Sequence, residues 1–204
     1  MNSKQRFARL ATDVVTRQPR LWTLFRRPFG RMFDAMAPEW EQLRVSEVYL
    51  AALRAGLDRV TGEPARVLDL GTGTGAAART IAARWPDAEV TGADLSPRMI
   101  EQARANAGSA RERYEVADAA ALPFADASFD LVTLSNMIPF YDELARVTAP
   151  GGQVVIAYSR GPQTPIWVPL ERMRAELERR GFAHVADVEE GSGRVLLAVK
   201  HNLS

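Results

Sequence analysis

The stretch Val67-Leu68-Asp69-Leu70-Gly71-Thr72-Gly73-Thr74-Gly75 constrains this chain more than any other. The apolar run Arg66 to Leu70 reads as a short buried strand, and Ala76 to Ala83 reads as a helix. A glycine-rich turn between them lets a ligand approach bare backbone N–H groups at the positive end of the helix dipole. Two guests fit such a turn. Gly71-x-Gly73-x-x-Ala76 matches a dinucleotide fingerprint, with a pyrophosphate on the helix N-terminus. Asp69, two residues ahead of the first glycine, argues instead for a ligand carrying positive charge, because a carboxylate there repels a pyrophosphate.

The rest of the chain supplies the setting. From Ala65 onward, strand and helix patterns alternate, which predicts a doubly wound, mostly parallel α/β sheet of seven strands. The expected strands are Arg66–Leu70, Ala88–Ala93, Arg113–Ala117, Phe129–Leu134, Gln153–Tyr158, Ala183–Val188 and Arg194–Val199. Gly191-Ser192-Gly193 forms the tip of a final hairpin. Ser96-Pro97 opens a helix to about Ala107, with serine as N-cap and proline at the first helical position. Helices are also expected from about Asp142 to Thr148, stopping at Pro150-Gly151-Gly152, and from Leu170 to Arg180.

Residues 1–60 read as a helical cap belonging to the same domain as the core at 61–204. Its helices are expected to break at Pro19, Pro28 and Pro38, and a longer amphipathic helix runs from Glu41 to Val60. Its apolar face is Leu43, Val48, Leu50, Leu53, Leu57 and Val60. Arg17, Arg20, Arg26, Arg27 and Arg31 alternate with Trp22, Phe25, Phe29 and Phe33. Such a stretch can stack and neutralise nucleic acid, or face a membrane or a partner. It can also pack its aromatics on the core while the arginines stay solvated.

Composition removes several classes of chemistry. The chain has no cysteine and only two histidines, His184 and His201, so disulfides, thiol nucleophiles and zinc–thiolate sites are excluded and no metal is expected. A formal net charge of +1 argues against nucleic acid as a partner. Asp13 and several arginines interrupt every candidate signal region, and no apolar run reaches spanning length, so the expectation is a cytoplasmic protein, monomer or homodimer.

Three acids end or border the first three strands: Asp69, Asp94 and Asp118. In a doubly wound sheet the carboxyl ends of the strands line one crevice. Asp94 follows the first glycine by the spacing at which an acid accepts from ribose hydroxyls. Asp118, one strand further out, can accept from an exocyclic amine, and Asp69 supplies negative charge to a cationic group.

With these motifs the chain resembles the class I S-adenosylmethionine-dependent methyltransferases, in particular the small type 11-like enzymes. The resemblance covers roughly residues 60 to 160. It rests on Val67 to Gly75, Gly92-Ala93-Asp94-Leu95-Ser96-Pro97-Arg98-Met99-Ile100 and Ala117-Asp118-Ala119-Ala120-Ala121-Leu122-Pro123-Phe124. Phe129-Asp130-Leu131-Val132, Glu143 to Val147 and Pro150-Gly151-Gly152 complete it. The resemblance implies S-adenosylmethionine as cofactor. Gly71, Thr72, Gly73, Gly75 and Asp69 would surround the methionine part. Asp94 would hold the ribose, and Leu95 and Met99 would lie against the adenine. Asp118 and the Ala119 N–H would read the adenine edge, and Ser135 and Asn136 would face the methionine amine or the acceptor. Phe33 to Trp40 looks like the family's aromatic N-terminal cap, where relatives often have tyrosine in place of Trp40.

The implied activity is methyl transfer to an oxygen, nitrogen or carbon nucleophile of a small molecule. Phe33, Trp40, Asn136, Phe140 and Tyr141 are candidates for contact with the acceptor, and no residue demands the role of general base. Ser135-Asn136-Met137-Ile138-Pro139-Phe140-Tyr141 departs from the Asn/Asp-Pro-Pro-Tyr/Phe signature of amino-group methylation on bases. Two alternatives stay open: a non-catalytic binder of the same cofactor, and a nucleic-acid methyltransferase using the arginine–aromatic segment. A nicotinamide-dependent oxidoreductase does not account for Asp69, Asp118 and Pro150-Gly151-Gly152 together.

Overall fold

The computed structural model describes residues 3–44 and 47–202. Seven strands, β1 (Arg66–Leu70), β2 (Glu89–Asp94), β3 (Glu112–Val116), β4 (Phe129–Ser135), β5 (Thr148–Tyr158), β6 (Phe182–Glu190) and β7 (Gly193–Lys200), form one sheet in the order β3-β2-β1-β4-β5-β7-β6. The first five are parallel, and β7 runs antiparallel to both β5 and β6. The order reverses between β1 and β4, which is where a doubly wound sheet opens a crevice.

Among the described residues, eight α-helices accompany the strands: α1 (Ser3–Arg17), α2 (Trp22–Asp34), α3 (Ala37–Arg44), α4 (Glu47–Leu57), α5 (Ala76–Arg84), α6 (Pro97–Ala105), α7 (Tyr141–Val147) and α8 (Leu170–Glu178). The central strands are buried on both faces, and alternate residues serve opposite layers. Leu68, Leu70, Val132, Leu134, Val154 and Ile156 pack with α1, α2, α7 and α8. Val67, Val90, Leu131, Val155 and Leu197 pack with α4, α5 and α6. Ala8, Ala11 and Val15 of α1 and Trp22 and Phe29 of α2 share the first of these clusters with the sheet.

The N-terminal helices differ from the sequence expectation. Pro28 does not break a helix; it lies within α2. Both Pro28 and Leu24 are exposed, so the carbonyl left without an intrahelical donor faces water, where the loss is cheapest. Pro19 opens a 3₁₀ turn, Pro19–Leu21, and Pro38 sits in the first turn of α3, where no helical donor is missed. The single helix expected from Glu41 to Val60 is two, α3 and α4. Val45 and Ser46 between them lie outside the described residues, as does the side chain of Leu43.

Elsewhere the boundaries move by a few residues. The largest change is at β5, which starts at Thr148, so Pro150-Gly151-Gly152 lies within the strand. The pairing there jumps from Phe129–Thr148 to Leu131–Gln153. The proline and glycines, with Gly151 at φ 74°, occupy that irregularity and interrupt the ladder without ending the strand.

Candidate functional site

A cavity of about 290 Å³ opens over the carboxyl ends of β1, β2 and β4. Its floor includes Gly71, Gly73, Asp94, Leu95, Met99, Ala119, Ser135 and Asn136. Its roof comes from the N-terminal helices, with Trp22, Phe29, Met32, Phe33, Met36 and Trp40. The roof is a chain of ring contacts: Phe29–Phe33 at 5.6 Å, Phe33–Trp40 at 5.7 Å and Trp22–Phe140 at 5.3 Å between centroids. Tilted and edge-to-face packing of this kind fixes the rings relative to one another.

The glycine turn is shaped by three residues with positive φ, Gly71 at 66°, Gly73 at 55° and Gly75 at 87°. Each conformation is one an L side chain rarely adopts. A Cβ on Gly71 would stand 2.8 Å from the Met137 sulfur, and one on Gly73 would stand 3.2 Å from the Trp40 indole nitrogen. The expectation that the turn presents free N–H groups needs correcting. Gly71 and Thr72 N–H both donate to the Ala93 carbonyl, at 2.8 and 3.1 Å, and Gly75 N–H donates to Thr72. Gly73 N–H donates to Asp94 Oδ2 at 2.9 Å. Buried backbone donors are paired wherever geometry allows, so here the turn offers a ligand close approach more than donors.

Asp94 also accepts from Ser96 N–H through Oδ1 at 2.9 Å. Removal from water holds its carboxyl above the ordinary aspartate range, although both backbone donors act against the shift. Ser96 caps α6 as its sequence predicts, accepting from Met99 N–H at 3.2 Å, and donates its hydroxyl to Asp34 at the end of α2. One serine therefore joins the cofactor-side helix to the N-terminal cap.

Asp69 lies beneath the turn, fully buried and off the cavity wall. Thr133 donates to its Oδ1 at 2.8 Å, while Oδ2 has no partner. Burial pushes its carboxyl up to about 6, Thr133 draws it down, and the nearby Asp94 charge pushes it up further. The Thr72 hydroxyl also draws it down, yet closes no hydrogen bond and is itself buried without a partner. The Ser135 hydroxyl, on the cavity wall, is a third such group. Unpaired buried polar atoms are costly; Ser135 brings one to the cavity wall, and Asp69 and Thr72 hold theirs behind it, at the glycine turn. That end of the cavity suits a cationic group.

Several sequence-predicted residues stand elsewhere. Asp118 does not line the cavity: its Oδ1 accepts from the Trp22 indole N–H at 2.7 Å and Ala120 N–H at 3.0 Å, and Arg26 lies 3.9 Å from Oδ2. The cap holds the acid that was expected at the adenine edge. Gly75 is the N-cap of α5 and packs against Tyr114. Asn136 reaches the wall in a left-handed conformation, φ 53°, but its Oδ1 accepts from Ser159 N–H and Oγ at 2.9 and 3.2 Å, so its carbonyl braces β4 against the turn after β5. Tyr141 begins α7 outside the cavity, its ring beneath Arg180, because the turn at Phe140 directs it to the opposite side. Phe33, Trp40 and Phe140 are on the wall.

Sequence reasoning passed over Trp22, Met137 and Arg160 as parts of this site. Met137 directly follows Ser135-Asn136, and that adjacency was a usable signal. Arg160 enters only because the connector after β5 folds back under α1, whose Arg9 guanidinium donates to the carbonyls of Pro162 and Thr164 at 2.8 Å each. Among the described residues, no group of three or more His, Cys, Asp or Glu is arranged to hold a metal, and no helix is long and apolar enough to cross a membrane.

The strand order, the reversed last strand and the glycine-turn crevice define a class I methyltransferase core. Residues 67–152 match the family described as methyltransferase domain. A malonyl-acyl-carrier protein O-methyltransferase of Halorhodospira halophila is 40% identical over 148 residues, which are 68% of this chain and 50% of that protein. A demethylmenaquinone methyltransferase of Thermus thermophilus is 41% identical over 138 residues, 61% of this chain and 63% of that protein. The chain thus spans half to just under two thirds of the length of these relatives. Among solved structures, the (4+2)-cyclase SpnF superposes with a TM-score of 0.69 at 19% identity, covering 85% of this chain and 95% of that one. The chain belongs to the class I S-adenosylmethionine-dependent methyltransferases.

Proposed function

We propose that this protein binds S-adenosylmethionine in the crevice between β1, β2 and β4 and transfers its methyl group to a small molecule with an apolar body. The observation that carries the reading is the joining of two unlike half-sites in one cavity. One is acidic, with Asp94 on the wall and the charge of Asp69, Oδ2 unpaired, behind it beneath the glycine turn; the other is an apolar chamber under Trp22, Phe29, Met32 and Phe33. Asp94 would hold the ribose, Leu95 and Met99 the base and Ser135 the amine, while Asp69 would act on the cationic end by its charge from beneath the turn.

When bound, the cofactor supplies a methyl group already activated by its sulfonium. The chain's own contribution is then alignment of an acceptor against it and exclusion of water by the aromatic roof. The reading assigns no general base, which suits an acceptor that arrives ionised or is carbon-nucleophilic. Of the relatives' names, demethylmenaquinone supports a small acceptor, and malonyl-acyl-carrier protein a small acyl group borne on a carrier. The reading includes a cytoplasmic monomer or homodimer that uses no metal, to be checked by fractionation and sedimentation.

Calorimetric titration with S-adenosylmethionine, S-adenosylhomocysteine and NAD tests the first half. Binding of the first two and not of NAD is expected, and NAD binding of equal strength overturns it. Transfer of labelled methyl into fractions of a cell extract tests the second half. Label in a small-molecule fraction is expected. Binding without transfer to any fraction would instead favour another use of the same fold, which the cyclase likeness shows to be within its range.

A further inference from the structure

Residues 1–33 contain eight of the 26 basic residues and one of the 25 acidic ones, so this segment carries +7 and the remainder −6. The near-neutral total hides a charge separation. The structure shows where the charge goes. Trp22, Phe25, Phe29 and Phe33 turn inward and pack against one another, Phe7 or the core. The opposite side of α2 carries Leu24, Arg27 and Arg31, and the 3₁₀ turn ahead of it carries Arg20, all exposed, at spacings of four, three and four residues. On α1 the exposed stripe is Arg6, Leu10, Asp13 and Arg17, at the same helical spacing.

Phe7 packs against Phe25 and Phe29, which ties the two helices into one slab. Its outer face makes no ion pair among the described residues through Arg6, Arg17, Arg20, Arg27 or Arg31. In the middle of each stripe stands an exposed leucine, Leu10 at 57% and Leu24 at 68%.

We propose that this outer face of α1 and α2 docks on an anionic phospholipid bilayer. Arginines ring apolar side chains that can enter the headgroup boundary, which is the composition of a helix lying in a membrane interface. A single-stranded nucleic acid fits less well, because the aromatic rings on which its bases would stack are committed to the core. The inner faces of the same helices roof the cavity, so a protein seated this way holds an apolar chamber against the phase in which apolar acceptors dissolve. The docking itself does not depend on the reaction proposed above.

The test is co-sedimentation of the full chain with vesicles of phosphatidylcholine alone and of phosphatidylcholine with phosphatidylglycerol. Binding to the mixed vesicles at least tenfold above the neutral ones, falling with added salt, is expected. Arg27→Glu with Arg31→Glu should abolish that difference. Leu24→Ser should weaken binding several-fold with charge unchanged, and circular dichroism should show each variant folded. Equal binding to both vesicle types, no binding at 0.15 M salt, or undiminished binding by the folded charge-reversed protein overturns the proposal. So does preferential capture by a single-stranded RNA or an acidic carrier protein offered in competition with the mixed vesicles. Cofactor titration of the charge-reversed variant should be unchanged, which separates this outcome from failure of the site reading.

Discussion

Asp69 couples the chemistry of one residue to pH. Its folded value of about 6 lies above the ordinary 3.8, so between these two the folded chain keeps a proton that the unfolded chain has released. Stability contributed by this group is present at low pH and is lost as pH rises through about 6, by up to roughly 3 kcal/mol for a shift of this size. Asp69→Asn should remove that slope from urea titrations run between pH 4 and 7. Binding of a cationic ligand moves the other way and should tighten as pH rises through about 6 in the native chain but not in the variant, measured by calorimetry. A second residue-scale expectation concerns Asp94, which joins Gly73 and Ser96 N–H. Asp94→Ala leaves both donors unpaired, so it should lower stability by about 1–3 kcal/mol as well as weaken cofactor binding. A binding loss with the urea midpoint unmoved would contradict the bracing role. The sequence made these acids conspicuous, since each ends or borders a strand ahead of a glycine or a cap. It did not disclose that Asp118 is held by Trp22, because the partners are 96 residues apart and the contact arises only when the cap folds over the sheet.

At the scale of elements, the helix after the glycine turn and the strands beside it were legible because each carries its own period and punctuation. The N-terminal helices were less so. Pro28 signals a break from local sterics, and only the exposure of the freed carbonyl lets α2 continue. Close packing makes the glycine positions unequal. Gly92, in the middle of β2, would place a Cβ 2.6 Å from the Tyr114 ring and 2.8 Å from the Thr72 hydroxyl, between groups that cannot easily withdraw. Gly92→Val should therefore destabilise the fold by several kcal/mol, as overpacking in a rigid core does. Gly71→Ala meets the flexible Met137 side chain, and its cost should be nearer the roughly 1 kcal/mol of a strained φ. Comparing the two thermal midpoints checks the order, and the reverse order would refute the packing argument.

For the whole molecule, the cap is fastened at points far apart in sequence: Trp22 to Asp118, Asp34 to Ser96, and Arg9 to the turn at Pro162 and Thr164. Removing one fastening should loosen the roof before it unfolds the sheet. Arg9→Ala is expected to speed amide exchange along α1 while leaving β1, β4 and β5 protected, as local openings cost less than global ones. Exchange that accelerates uniformly would mean that the cap and sheet open as one unit. The same arrangement divides the cavity by position along the chain. Its floor is written between Leu70 and Asn136, and most of its roof between Lys4 and Tyr49. Changes in the first fifty residues can therefore reshape the space offered to an acceptor without touching a residue of the glycine turn. On the methyl-transfer reading, a protein built this way can acquire a new acceptor by exchanging its first fifty residues, with the donor half inherited intact.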